Sequence, residues 1–447
     1  MNILQYSLGI YPSRQGGLVR YSTDLAKQLS RNDNIFYLMP GKLGIIDKKV
    51  SIKKIDQKNR FKLFAIDNAH PIPLFSGVTD VELYTKKTDI AIFSTFLKDN
   101  HIDIVHIHSL MGLHLELLQA AKILKIPVFF TTHDFYGICL ATTLFKDGCV
   151  CDNTEINEKC LKCSQNAHSY IKLAIGQSQI YKRLKNNTLI SRIRKRELTH
   201  KTAASPSTVS LNCHINYGKL NEYYMRMIET IDFFLFNSKQ TRDYFERSAG
   251  GLTGEVIPLL HKNIRDNRIQ RKFMKDGILH VGFMGECTEF KGYKLLSDAV
   301  KCVYKKGIPI ELDVYNDSVN EAECIKKKGS YSAKTIDKIY DVLDVIVVPS
   351  LWPETLGFVA VEALAAGMPC IVSDHVGAKC MIKDKETGFI LKSNDRNALV
   401  NCLASLSLNS TELERINKNI LKDQMSFDFA IHCNEIRSKY FEQKKKS

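Results

Sequence analysis

A chain of 447 residues, 44% hydrophobic and 25% charged, has an ordinary globular composition and room for two or three domains. No apolar run approaches roughly 18 residues, and MNILQYSLGIYPS lacks a basic region ahead of an apolar one, so neither a transmembrane helix nor a secretory signal is expected. A formal net charge of +15 points to anionic partners. An anionic membrane surface fits better than nucleic acid, because no nucleic-acid module is visible, and thirteen mostly scattered cysteines suit a reducing cytoplasm.

In chain order, Ile3–Leu8, Ile35–Met39, Ile104–Ile107 and Val128–Thr132 are apolar runs rich in β-formers, which predicts a mainly parallel sheet. Between the first two, Gly16-Gly17 leads into a helical pattern, a glycine turn feeding a helix start but without the dinucleotide fingerprint's spacing. His106 and His108 alternate on one strand and share a face, which suits structural or cleft-lining roles better than metal ligation. His133 follows IPVFFTT at the carboxyl edge of a strand, where open α/β sheets place ligands, although a lone histidine there is more often a structural donor. Asp134 is read as orienting His133 or capping the next segment.

Five cysteines come next: Cys139, Cys149, Cys151, Cys160 and Cys163. Cys160 and Cys163 form a C-x2-C knuckle that Cys139 and Cys151 would complete as a four-thiolate structural zinc site, with no open position for catalysis. Residues from about 164 to 230 are polar, basic and mostly helical in pattern. Within them Lys182–Lys201 would carry Leu184, Leu189 and Ile193 on one side and Arg192, Lys195 and Arg196 on another, the pattern of an interfacial segment or a solvated helix face. ETIDFFLFNS resumes the sheet, and three glycines and a proline in Gly250–Pro258 approach a hinge, placing a domain boundary near 262.

The second half opens with the strand Ile278–Gly285, a turn at Lys291-Gly292, a helix and the strand IELDVY. Asp344–Ser350 and Pro369–Asp374 are strong β runs flanking a helix, Phe358–Ala366, stopped by Gly367. The amides of Leu356, Gly357 and Phe358 fall at that helix start, where unpaired N–H groups and the dipole favour an anion. Glu354 lies in the loop and Glu362 on the helix. If every step between them were helical they would be about 12 Å apart, too far to share a proton. Phosphate at the helix start with hydroxyls at two separated carboxylates describes a nucleotide-sugar. Two glutamates alone are equally consistent with a loop carboxylate and a surface helix residue.

PSLWPETLGFVAVEALAAGMPCIVSD closely resembles the donor-site signature of the family 4 retaining glycosyltransferases, with its Glu-x7-Glu pair, Gly-Phe, Glu-Ala and Gly-x-Pro. The resemblance implies an α/β fold of GT-B architecture, two Rossmann-like domains facing across a cleft, and a nucleoside-diphosphate sugar held mainly by the second. It implies domains at 1–261, with a cysteine-rich and basic insertion at about 137–230, and at 262–425, with 426–447 as a helix returning to the first. Gly17, supported by Gly16, would border phosphate and acceptor, His133 would contact the donor sugar, and Lys291 the diphosphate. Asn237-Ser238 resembles the turn ending the first domain, and some related enzymes have comparable cysteines after the His-Asp. Two departures bear on the donor: Glu286 stands where arginine is usual, and Tyr315–Asp317 where a Gly-rich turn is usual.

The expected chemistry is transfer with retention. Lys291 and the Leu356–Phe358 amides would neutralise the leaving diphosphate, with Glu354 on the sugar, Glu362 on the ribose and His133 facing them. No divalent metal is expected for the reaction. The acceptor would be a glycan or lipid-linked saccharide in surface polysaccharide synthesis, at the cytoplasmic face of a membrane. A binding homologue with reduced turnover, and a GT-B phosphorylase or epimerase, are the alternatives.

Overall fold

The alternation of short apolar runs with helical patterns resolves, in a computed structural model, into two separate parallel sheets. The structure describes residues 1–44, 48–55, 60–74, 76–153, 155–178, 215–331 and 335–446. Lys182–Lys201 therefore lies outside the described residues.

The first half contains β1 (Asn2–Tyr6), α1 (Gly17–Leu29), β2 (Asn34–Pro40), β3 (Ser51–Ile55), β4 (Lys62–Asp67), α2 (Val81–Thr85) and α3 (Ile90–Asp99). It continues with β5 (Ile104–Ile107), α4 (Leu115–Ile123), β6 (Val128–Thr131), the short hairpin β7 (Phe145–Lys146) and β8 (Cys149–Val150), α5 (Leu161–Ser164) and α6 (Tyr170–Gln177). Then come α7 (Tyr217–Glu229), β9 (Phe233–Phe236), α8 (Lys239–Ala249) and β10 (Gly254–Val256). Eight of these strands form one sheet in the order β10-β9-β6-β5-β1-β2-β4-β3. Its pairs are parallel except the edge pair β3–β4. β5, β6 and β9 are buried at every position, as a parallel sheet covered by helices on both faces requires. The edge strand β3, with exposed Lys53 and Lys54, has no apolar run to mark it in the sequence.

The second half contains β11 (Leu279–Phe283), α9 (Tyr293–Tyr304), β12 (Ile310–Val314), β13 (Ile325–Lys327), α10 (Ile336–Tyr340), β14 (Val345–Val348) and α11 (Phe358–Ala365). β15 (Cys370–Ser373), β16 (Phe389–Leu391), α12 (Arg396–Leu408), α13 (Ser410–Lys422) and α14 (Phe429–Lys444) complete the chain. The sheet order is β13-β12-β11-β14-β15-β16, all parallel.

α14 leaves the second domain and packs on α1 of the first. The Arg268 guanidinium sets the crossing by donating to the carbonyls of Ile420, Asp423 and Met425 at 3.1, 2.8 and 3.2 Å. On the far side, Tyr440 Oη pairs with His106 Nδ1 at 2.6 Å and Tyr21 Oη with His432 Nε2 at 2.9 Å. The apolar core on that face of the first sheet is thereby continuous with the core of the second domain.

Arg437 anchors the helix by donating to both oxygens of Asp33, at 2.6 and 3.2 Å, and the Met1 ammonium joins them at 2.8 Å. Burial of Asp33 opposes its ionisation, but these hydrogen bonds and charges hold the carboxyl below its ordinary value of 3.8. The stabilisation is therefore present above that pH and is lost as pH falls through the folded value. Arg437→Ala is expected to cost about 2 kcal/mol at neutral pH, because the Met1 ammonium still pairs the buried carboxylate. Urea melts of the variant and parent at pH 7 measure it.

Candidate functional site

The loop between β14 and α11 is built around Glu354. Lys291 Nζ reaches Glu354 Oε1 at 2.7 Å and Ser350 Oγ donates to Oε2 at 2.6 Å, so both carboxylate oxygens are held. Ser350 is fixed in turn, its carbonyl accepting from Ser373 Oγ at 2.6 Å. Lys291 also lies 5.1 Å from the centroid of Trp352, the one tryptophan in the chain. Gly292 makes this approach possible: at φ 73° it caps α9, and a Cβ there would meet the Pro349 carbonyl oxygen at 2.0 Å. Gly357, at φ 89°, performs the same service for α11 against Val376.

Across the crevice the first domain touches this loop directly. Thr355 Oγ1 donates to the His133 carbonyl at 3.0 Å, and a Cβ on Gly17 would stand 3.1 Å from the Phe358 ring. Thr241 Oγ1 reaches the Thr355 carbonyl at 3.2 Å and Gln240 Nε2 the His375 carbonyl at 2.8 Å. Gly16, exposed at φ 124°, precedes α1 beside Gly17. The Glu354 loop and the start of α11 thus touch the first domain at the His133 carbonyl and at Gly17.

Glu362 faces a different part of it. Its Oε1 pairs with His261 Nε2 at 3.1 Å, and with Arg20, Asn263, Arg265, Tyr331 and Tyr340 it lines a cavity of about 90 Å³. Arg20 comes from α1, and its Nε is buried without a hydrogen-bond partner. The two glutamates have separate partners within the chain, Glu354 in Lys291 and Glu362 in His261. Sequence reasoning missed His261, Arg20 and Ser350; Arg20 had a weak signal, lying three residues after Gly17 at the same helix start.

The His133 imidazole turns to His108, with Nε2 and Nδ1 3.1 Å apart, and the Tyr21 ring packs on both. Asp134 does not orient His133: it accepts from the Tyr136 amide at 2.9 Å and caps the segment that follows. Burial lowers the His133 pKa to about 3 and raises that of Asp134 to about 7. His133 is therefore a neutral imidazole at neutral pH.

Glu286 is exposed just after Gly285, and Asn316 Nδ2 donates to the Gly285 carbonyl at 2.9 Å, giving the unusual Tyr315–Asp317 turn a bracing role. Cys139, Cys151, Cys160 and Cys163 are all free thiols in the segment after β6, with Cys163 inside α5. Cys163 lies within electrostatic reach of the other three, but no three of these sulfurs approach within 4.8 Å. Among the described residues only His280, Glu311 and Asp313 bring three potential metal donors that close. There the carboxylates already face Lys326 and Lys328, at 3.7 and 3.2 Å.

Two Rossmann-like domains that meet at the start of α11 define a GT-B protein. The sequence profile "Glycosyl transferases group 1" matches residues 265–423, and "Glycosyltransferase Family 4" matches residues 15–151. The chain belongs to the family 4 glycosyltransferases. The Staphylococcus aureus capsular polysaccharide biosynthesis glycosyltransferase CapM is 25% identical over 205 residues, 43% of this chain and 53% of that protein. The Escherichia coli UDP-Gal:alpha-D-GlcNAc-diphosphoundecaprenol alpha-1,3-galactosyltransferase is 38% identical over 72 residues, 16% of this chain and 18% of that one. The matches therefore span between a fifth and about half of these relatives' lengths. Among solved structures, Anabaena Alr3699/HepE in complex with UDP aligns over 99% of this chain and all of its own, with a TM-score of 0.59 and 13% identity.

The buried histidines give the fold a pH limit. Burial lowers the pKa of His106 and His133 to about 3, of His114 and His432 to about 4, and of His70 and His108 well below 6.5. The unfolded chain takes up these protons below about pH 6.5 and the folded chain does not. Stability is thus full above that pH and falls on acidification at up to about 1.4 kcal/mol per pH unit for each histidine. Asp134, whose raised pKa has the opposite sign, offsets one of them. Cooperative unfolding between about pH 6 and pH 4 is expected in far-UV circular dichroism, with a shallower slope in His432→Gln.

Proposed function

We propose that the protein is a retaining glycosyltransferase that moves a sugar from a nucleoside-diphosphate sugar to a saccharide or lipid-linked saccharide. The observation that carries this reading is the meeting of the Lys291–Glu354 loop with His133 and Gly17 across the crevice. Lys291 and the amides of Leu356, Gly357 and Phe358 neutralise the diphosphate as it leaves. Glu354 receives sugar hydroxyls and the positive charge developing at the anomeric carbon, while Glu362 grips the ribose. Neutral His133 borders the sugar from the first domain, and Gly16-Gly17 leave room for phosphate and acceptor. No side chain stands out as a covalent nucleophile, so attack from the face the diphosphate leaves, with retention, is the route we favour.

The names of the relatives set them in capsule and lipid-linked saccharide synthesis, which supports a surface polysaccharide as the product. Among the described residues no helix is long and apolar enough to cross a membrane. We infer peripheral contact with the cytoplasmic face of an anionic membrane, supported by the charge of +15 and by exposed Ile171 and Ile175 on α6, just ahead of the basic run. One observation favours a second reading, a binding homologue with reduced turnover: exposed Glu286 follows Gly285 where the resembling enzymes usually carry arginine.

Thermal melts with a panel of UDP-, GDP- and ADP-sugars separate the readings. One donor is expected to raise the melting temperature, since a ligand at a hundred times its Kd adds about 2.7 kcal/mol. With that donor, Lys291→Ala and Glu354→Gln should each lose about 100-fold or more in turnover while remaining folded. Silence across the panel favours the second reading, and stabilisation by inorganic phosphate with an oligosaccharide alone favours phosphorolysis.

A further inference from the structure

One face of α1 is turned to the second domain. Gly17, Arg20 and Asp24 are spaced three and four residues apart on that helix and so lie on one side of it. A Cβ on Gly17 would stand 3.1 Å from the Phe358 ring of α11, and Lys262, in the chain leaving the first domain, reaches Asp24 Oδ1 at 3.7 Å. Between these two contacts Arg20 enters the cavity of about 90 Å³ that Glu362 lines. All the other residues of that cavity fall between Asn263 and Ala366, so Arg20 is the first domain's contribution to it.

Within the chain this arginine is a donor without an acceptor. A guanidinium carries five N–H groups and stays charged. Arg20 nevertheless makes no side-chain hydrogen bond or ion pair among the described residues, and its Nε is buried. Its Cζ lies 5.6 Å from the centroid of the Tyr11 ring, a contact that directs the side chain but accepts no hydrogen bond in the plane of the fork. Tyr340, on the same cavity and only 2% exposed, adds a second unsatisfied group, its Oη being buried without a hydrogen-bond partner. Buried polar groups are rarely left unpaired, so a cavity that gathers two of them is shaped for a polar ligand.

The charges around the cavity say what kind. Burial raises the Tyr331 pKa to about 12, Glu362 adds to the rise and Arg20 opposes it, so carboxylate and guanidinium both act on this ring. They do not satisfy each other, since Glu362 Oε1 is taken by His261 Nε2 at 3.1 Å. A ligand between them meets an acceptor on one side and donors on the other. A nucleoside diphosphate fits both: its ribose hydroxyls donate to the carboxylate, and its ring, base or phosphate oxygens accept from the guanidinium.

We propose that Arg20 is a nucleotide-binding residue supplied by the first domain, donating to the nucleoside diphosphate that Glu362 holds from the second. This rests on the glycosyltransferase reading above and adds to it a contact from the opposite domain. A single ligand that touches both α1 and α11 bridges the two domains, so the nucleotide binds more tightly to the arrangement in which they stand together and shifts the chain toward it.

Titration calorimetry of the full-length chain with UDP, GDP and ADP gives the parent's dissociation constants. For the tightest of the three, Arg20→Ala is expected to raise Kd about 10- to 100-fold, the loss of a hydrogen bond from a charged donor. Arg20→Lys, which keeps the charge but not the fork, should raise it less. The melting temperature without ligand should be the same in parent and variants, because Arg20 donates no side-chain hydrogen bond within the protein; a purely structural arginine would lower it. Should Arg20→Ala fail to fold, the parent itself carries the test: the nucleotide should slow amide exchange in α1 as well as in α11. An unchanged Kd in Arg20→Ala, protection confined to α11, or a loss of ligand-free stability with no loss of affinity overturns the assignment and leaves donor binding standing. A parent chain that binds none of the three nucleotides overturns the donor reading, and this assignment with it.

Discussion

The ion pair of Lys291 with Glu354, at 2.7 Å, joins two turns 63 residues apart in the chain, each at the carboxyl edge of a strand in the same sheet. It exists because β11 and β14 are neighbours in that sheet, so the loops leaving them come out side by side. Gly292 lets the turns approach, and Ser350 holds the carboxylate oxygen that the lysine leaves free. The pair holds a cation at the start of α9 against a carboxylate, so neither partly buried charge is left uncompensated. Preorganisation here comes from a backbone with no room for a side chain.

The first domain meets this apparatus through few contacts, and α14 makes that meeting possible. By returning from the second domain to α1 it joins the two cores, so the crevice is flanked by connected bodies rather than by beads on a linker. The price is a polar interior: Tyr21, His106, His108, His133, His432 and Tyr440 form a buried network below the crevice, every imidazole in it kept neutral by burial. Such a network specifies one arrangement of helix and sheet, and the same burial makes it sensitive to acid.

The donor unit was almost wholly legible. Asp344–Ser350, Phe358–Ala366 and Pro369–Asp374 lie within two residues of β14, α11 and β15 at each end, because fully buried parallel strands and a glycine-stopped helix leave strong local patterns. β3, α10 and α13 were not foreseen. A charged edge strand lacks an apolar run, and the two helices carry no glycine or proline punctuation strong enough to set them apart.

From the sequence alone came the parallel strand–helix alternation and the helix start at Leu356–Phe358, which depend on short-range periodicity, while the family resemblance supplied the two-domain arrangement and pointed to Gly17, His133 and Lys291. Tertiary structure decided which of them meet: that Glu354 takes Lys291, that Glu362 takes His261, that His133 turns to His108 and not to Asp134, and that Arg20 crosses to the second domain. Partners tens to hundreds of residues apart are chosen by strand order and helix crossing, and no local pattern encodes those.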